Sequence, residues 1–161
     1  MQQPASTART RDLLPHDQIQ PCQVLLLEDD RDDQLFARRE LMASDVVKDV
    51  VCFSDGDKLA AYMRDEGFMD RTVMALTPIL ILVDLEMPKK NGLMVIEDLK
   101  SDQFLRDIPI IVVTGTMDGD KLGLAKKLGA NGVFRKPLRH SVLTDYYRSA
   151  WKWPQDDMWF Q

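Results

Sequence analysis

Pro78-Ile79-Leu80-Ile81-Leu82-Val83-Asp84-Leu85-Glu86-Met87-Pro88-Lys89-Lys90-Asn91-Gly92 is the stretch whose reading decides the fold. Ile79 to Val83 are all aliphatic, with no polar residue to mark a wet face. A strand half in water alternates; an unbroken apolar strand belongs at the centre of a parallel sheet covered by helices on both sides. The run then ends on a carboxylate. Asp84 is thereby predicted at the carboxyl end of a central strand, where open α/β sheets place their ligands. Met87-Pro88 and Asn91-Gly92 are turn signals, so a shaped loop follows the acid. A lone Asp at such a place is weak evidence of chemistry, because turns recruit Asp for their own hydrogen bonds. The rest of the chain gives it weight.

Upstream, Val24-Leu25-Leu26-Leu27 is a second apolar strand that ends on acid, in Glu28-Asp29-Asp30. A helix is predicted from about Asp32 to Ser44, with Leu35, Phe36, Leu41 and Met42 at helical spacing and Asp32 or Asp33 favouring its start. Val46 to Phe53 reads as a strand. A helix follows from about Asp57 through Leu59, Ala60, Tyr62 and Met63 to near Gly67, and residues 67–78 form a longer connection. Downstream, a helix begins near Gly92 and carries Val95, Ile96 and Leu99. Ile108 to Gly115 is another buried strand, about Asp118 to Gly129 a fourth helix, and Ala130 to Phe134 a fifth strand before Arg135-Lys136-Pro137. A last helix starts near Ser141, read as its N-cap, and includes Val142, Leu143, Tyr146, Tyr147 and Trp151. Strands alternating with helices through right-handed crossovers give one parallel sheet in a doubly wound α/β sandwich. Residues 1–21, with Pro4, Pro15 and Pro21 and no sustained period, are expected to form a flexible arm; 22–152 are the domain and 153–161 an aromatic tail.

The chain has 161 residues, enough for one domain with a properly buried core. Its formal net charge of −5 argues against a nucleic-acid partner, which needs a basic face to gather phosphates. No apolar run approaches the roughly 20 residues of a membrane span, and the N-terminus lacks the apolar core of a signal peptide. Cys22 and Cys52 have no metal-like spacing and read as buried free thiols. A cytoplasmic location is expected.

Four strand ends carry polar residues: Glu28, Asp29 and Asp30 after the first, Asp84 after the third, Thr114 after the fourth, Lys136 after the fifth. Parallel strands point one way, so these groups meet on one rim. Each has an ordinary explanation alone, since acids cap helices, Thr suits strands and Lys suits surfaces. Together they do not. Carboxylates about 5 Å apart repel by roughly 3 kcal/mol per pair at an effective dielectric near 20. Lys136 offsets part of that, and a divalent cation would offset the rest. Oxygen-only ligands in a partly open site suit Mg²⁺. A cation, a lysine and a hydroxyl beside a carboxylate suit phosphoryl transfer onto that carboxylate, Asp84.

The same residues carry a family resemblance. Leu27-Glu28-Asp29-Asp30, Val83-Asp84-Leu85-Glu86-Met87-Pro88, Val113-Thr114-Gly115 and Lys136-Pro137 resemble the receiver domain of bacterial two-component response regulators, over about residues 23 to 152. The resemblance implies a flavodoxin-like five-stranded sheet of order 2-1-3-4-5 and a phosphoacceptor, not an enzyme. It implies Asp84 as the phosphorylated residue, Asp29 binding Mg²⁺ directly, Glu28 through water, and the Glu86 backbone carbonyl as a further ligand. It implies Thr114 as the hydroxyl that moves to the phosphoryl group, Lys136 as its ionic partner, and a cis Lys136–Pro137 bond. The implied donor is a sensor histidine kinase.

Two positions depart from that pattern. Val133 stands three places before Lys136, where an aromatic switch residue is usual, and Phe134 next to it faces the other side of the strand. Glu86 stands two after Asp84, where Asn or another residue is common. Trp151, Trp153 and Trp159 crowd the last eleven residues with Phe160, and exposed aromatics favour interfaces. The connection at 67–78, the Pro88-Lys89-Lys90-Asn91-Gly92 loop and this aromatic end resemble the regulators paired with bacterial phytochrome kinases. That implies a homodimer through the fourth helix, the fifth strand and the fifth helix. Two other readings compete: a phosphorylation-independent receiver-like scaffold, favoured by Val133, and an aspartyl-phosphate phosphohydrolase, for which Asp84-Leu85-Glu86 is a loose mimic.

Overall fold

The five apolar runs form strands β1 (Cys22–Leu27), β2 (Val47–Phe53), β3 (Ile79–Asp84), β4 (Ile110–Thr114) and β5 (Gly132–Arg135) in the computed structural model. The structure describes residues 19–69, 77–87, 92–115 and 118–149. The strands pair in parallel throughout, as the βα alternation predicts, in the order β2-β1-β3-β4-β5 that the family resemblance implies. The helices are α1 (Arg31–Met42), α2 (Gly56–Met63), the single turn α3 (Glu66–Met69), α4 (Gly92–Ser101), α5 (Gly119–Lys127) and α6 (His140–Ser149).

β3 lies at the centre because its side chains have nothing to offer water. Alternate residues feed opposite cores. Ile81 and Val83 pack with Leu59 and Met63 of α2, Val95, Ile96 and Leu99 of α4, and Leu122 and Ala125 of α5. Leu80 and Leu82 pack on the other face with Leu41 of α1 and Leu143, Tyr146 and Tyr147 of α6. Leu80 to Val83 are at most 1 % exposed, and full burial of each such side chain contributes about 1.5–3 kcal/mol. This covering on both faces leaves only the strand ends open to ligands.

Several boundaries differ from the sequence reading, each for a local reason. Asp30, not Asp32 or Asp33, caps α1: its backbone is extended and its side chain accepts from the Asp33 amide at 2.9 Å. Only Leu41 of the four spaced apolar residues of α1 is buried; Leu35, Phe36 and Met42 are exposed. α2 ends at Met63, because Asp65 starts a new turn by accepting from the Gly67 amide at 3.0 Å. Ser141 is inside α6 and does not cap it. The first residue is His140, whose amide donates to the Glu40 carboxylate of α1 at 3.1 Å. Cys22 is buried but Cys52 is only half-buried; both are free. Burial pushes the Cys22 thiol up to about 12.

Val133 and Phe134 point to opposite cores, as alternation requires. Phe134 meets Tyr146 edge to face, ring centroids 5.4 Å apart. The arm up to residue 18, residues 70–76 of the long connection, the loop at 88–91 and the aromatic residues Trp151, Trp153, Trp159 and Phe160 lie outside the described residues. Among the described residues no helix is long and apolar enough to cross a membrane.

Candidate phosphoacceptor site

The common direction of the strands gathers their polar ends on one rim. Glu28 follows β1, and its amide donates to the Phe53 carbonyl at 2.9 Å, which prolongs the sheet by one residue. Its side chain turns inward, with the residue 3 % exposed, and Oε1 accepts from the Asp30 amide at 3.0 Å. The Gln34 side-chain amide donates to the Glu28 carbonyl. Asp84 closes β3 opposite Val113, 5 % exposed, and its Oδ1 accepts from the Glu86 amide at 3.0 Å. Glu28, Asp29 and Asp84 each bring one carboxylate oxygen within 4.8 Å of the other two.

Lys136 follows β5. Its amide donates to the Thr114 carbonyl at 2.9 Å, which ties the ends of β4 and β5, and the Lys136–Pro137 bond is cis. Its Nζ donates to Glu28 Oε2 at 2.7 Å, to Asp84 Oδ2 at 3.2 Å and to Asp33 Oδ2 at 3.2 Å. Thr114 is fully buried at the end of β4, one residue past Val113. The Glu86 side chain leaves the cluster: it is exposed, with Oε1 4.0 Å from Lys121 Nζ on α5.

The charges do not balance. Three carboxylates, from Glu28, Asp33 and Asp84, hold one ammonium, and a fourth, Asp29, lies beside Glu28 and Asp84. Burial pushes the Glu28 carboxyl above its usual range; the Lys136 and Asp30 hydrogen bonds pull it back only in part, and the Asp84 charge adds to the rise. Burial works against the Lys136 charge too. There the Glu28 hydrogen bond and the charges of Asp84 and Glu28 prevail, so Lys136 titrates above the usual lysine range. The excess negative charge, in oxygen donors only, fits a hard divalent cation held by Glu28, Asp29 and Asp84. A cleft of about 250 Å³ opens over this cluster, lined by Glu28, Asp33, Asp84 and Lys136 with Phe36 and Leu138.

Two residues at the site escape the sequence reading. Asp33 reads there as a helix-favouring acid, yet it contacts Lys136. Gly92 reads as a turn residue, yet a Cβ there would lie 2.2 Å from the Asp84 carbonyl oxygen. Only glycine lets α4 start so close to the acid-bearing strand. An acid one helical turn past the Glu28-Asp29 pair was the available signal for Asp33; for Gly92 there was none beyond Asn91-Gly92 itself.

Residues 24–148 match the family model described as the response regulator receiver domain. The chain belongs to that family. Among curated proteins this receiver is similar to response regulator Rcp1 of Synechocystis sp., 29 % identical over 111 residues, or 69 % of this chain and 74 % of that protein. Among solved structures, the phosphorylated cyanobacterial phytochrome response regulator RcpA is 32 % identical, with a TM-score of 0.63 over 80 % of this chain and 90 % of that one. The Mn²⁺-bound form of Rcp1 is 25 % identical, with a TM-score of 0.60 over 83 % and 94 %. The bacteriophytochrome response regulator RtBRR is 28 % identical, with a TM-score of 0.65 over 85 % and 84 %. The receiver thus has phytochrome and bacteriophytochrome response regulators among the structures it is similar to.

Proposed function

We propose that this receiver is the phosphoacceptor of a two-component relay, taking a phosphoryl group from a sensor kinase's phosphohistidine onto Asp84 with Mg²⁺ bound. The observation that carries the reading is a buried Asp84 carboxylate between the Glu28–Asp29 pair and the Lys136 ammonium. An Asp84 carboxylate oxygen attacks phosphorus; the P–N bond to imidazole breaks as the O–P bond of an acyl phosphate forms, and imidazole leaves. Lys136 meets the charge on the phosphoryl oxygens, and Asp84 is held for attack by its bond from the Glu86 amide. When bound, the cation supplies further neutralisation of those oxygens. Glu28, Asp29, Asp84 and the Glu86 carbonyl are its proposed ligands.

The relatives support each part separately: RcpA exists as a phosphorylated protein and Rcp1 as a Mn²⁺-bound one. A phytochrome-type histidine kinase is the donor class their names favour. The role proposed is that of a switch, not of an enzyme with turnover. Phosphorylation shifts an existing equilibrium at the Thr114 loop and the face of α5. With Val133 in place of a ring, that output does not use the rotation of an aromatic at this position. A homodimer through α5, β5 and α6 is the proposed assembly.

The test is phosphorylation by acetyl phosphate or a labelled kinase, with magnesium or with EDTA. Label is expected on the wild type in magnesium only, and not on Asp84→Asn. Label that persists on Asp84→Asn, or that forms in EDTA, defeats the reading.

A further inference from the structure

We propose that Asp33 is a positioning residue for Lys136, a second seat that receives the ammonium when Glu28 is given over to a metal ion. The inference rests on the phosphoacceptor reading above and adds a residue that reading does not use. Lys136 Nζ has three protons and three carboxylate neighbours. Two of these, Glu28 and Asp84, belong to the buried oxygen cluster. Asp33 does not. It stands on the first turn of α1, its side chain 54 % exposed, 3.2 Å from the ammonium.

An acid at that turn has an ordinary use, because negative charge complements the positive end of a helix. Asp32 serves that use equally, one residue earlier. The helix does not require its acid to reach a lysine 103 residues away.

The consequence concerns ion exchange at the site. A cation drawn to Glu28 competes with Lys136 for Oε2, the shortest of the three lysine contacts at 2.7 Å. With no other carboxylate in reach, the displaced ammonium, its side chain a quarter exposed, would exchange a charge-assisted bond for one to water. Asp33 supplies the acceptor from the solvent side, as near as Asp84 is. Lys136 then stays beside Asp84, where incoming phosphoryl oxygens need it, and does not swing into solvent.

The test is calorimetric titration of the whole chain with magnesium alone. Asp33→Asn is expected to weaken binding about three- to fivefold, the range of a partly exposed ion pair, while Asp33→Glu stays within about twofold of wild type. A double-mutant cycle separates contact from simple charge. In a Lys136→Ala background, Asp33→Asn should change nothing further, since no ammonium is left to receive. An Asp33→Asn effect of equal size in that background overturns the proposal, as does an equal loss from Asp32→Asn. A wild type that takes up no magnesium overturns the metal reading and this inference together. A wild type that binds, beside an Asp33→Asn variant that binds as tightly, overturns this inference alone.

Discussion

Replacing Lys136 by methionine should destabilise the metal-free protein and make it depend on magnesium. At an effective dielectric near 20, carboxylate oxygens within 4.8 Å of one another repel by at least about 3.5 kcal/mol per pair. Against this, Lys136 contributes about 6 kcal/mol toward Glu28 at 2.7 Å and about 5 kcal/mol toward Asp84 at 3.2 Å, on the same dielectric. The ammonium thus offsets much of the repulsion in the wild type. Without the ammonium, two buried acids lose their compensation, and the expected cost is that of breaking a buried pair, about 3–5 kcal/mol. The assay is urea unfolding at neutral pH, followed by circular dichroism, in EDTA and in excess magnesium. Magnesium should restore most of the loss, and should stabilise Lys136→Met more than wild type, where Lys136 competes for Glu28. The variant should also gain stability as pH falls. Glu28 already binds its proton more tightly folded than unfolded. Between the unfolded and folded values the native state holds more protons, so stability decreases as pH rises. A Lys136→Met variant as stable as wild type in EDTA, or one that gains no more from magnesium, would refute this electrostatic account.

Glu28→Gln should raise stability in EDTA at neutral pH, with the gain vanishing as pH drops below the ordinary carboxyl value of 4.5; a gain that persists in acid would assign the effect to packing instead. Gly92→Ala should cost about 3 kcal/mol and slow phosphorylation, because the Asp84 backbone must move to admit a methyl; an unchanged melting temperature and rate would contradict the close approach. Phe134→Leu should cost about 1 kcal/mol through the lost edge-to-face contact with Tyr146, read as a shift of the denaturation midpoint, with phosphorylation by acetyl phosphate unaltered. A changed phosphorylation rate there would tie Phe134 to the site.

The strands were legible because their information is local. Ile79 to Val83 can be satisfied only by a strand buried on both faces. From such runs and their alternation with helices, the doubly wound sheet follows, and with it the meeting of Glu28, Asp29, Asp84, Thr114 and Lys136 on one rim. Helix starts were less legible, because a cap depends on backbone angles and on neighbours. Asp30 caps α1 by virtue of its extended backbone, and the start of α6 is held by Glu40 from another helix.

Lys100 shows the limit most plainly. In sequence it is one more charge near the end of α4. In the fold it is half-buried, donating at 2.9 Å to the Arg106 and Ile108 carbonyls and at 3.4 Å to Asn131 Oδ1, and burial lowers it to about 8. The sequence by itself determined which faces avoid water and where the chain must turn, because those are properties of neighbouring residues. Which acid meets Lys136, how near α4 comes to Asp84 and which lysine is sheltered were decided only by tertiary structure. Those distances join residues up to 108 positions apart, and no local pattern encodes them.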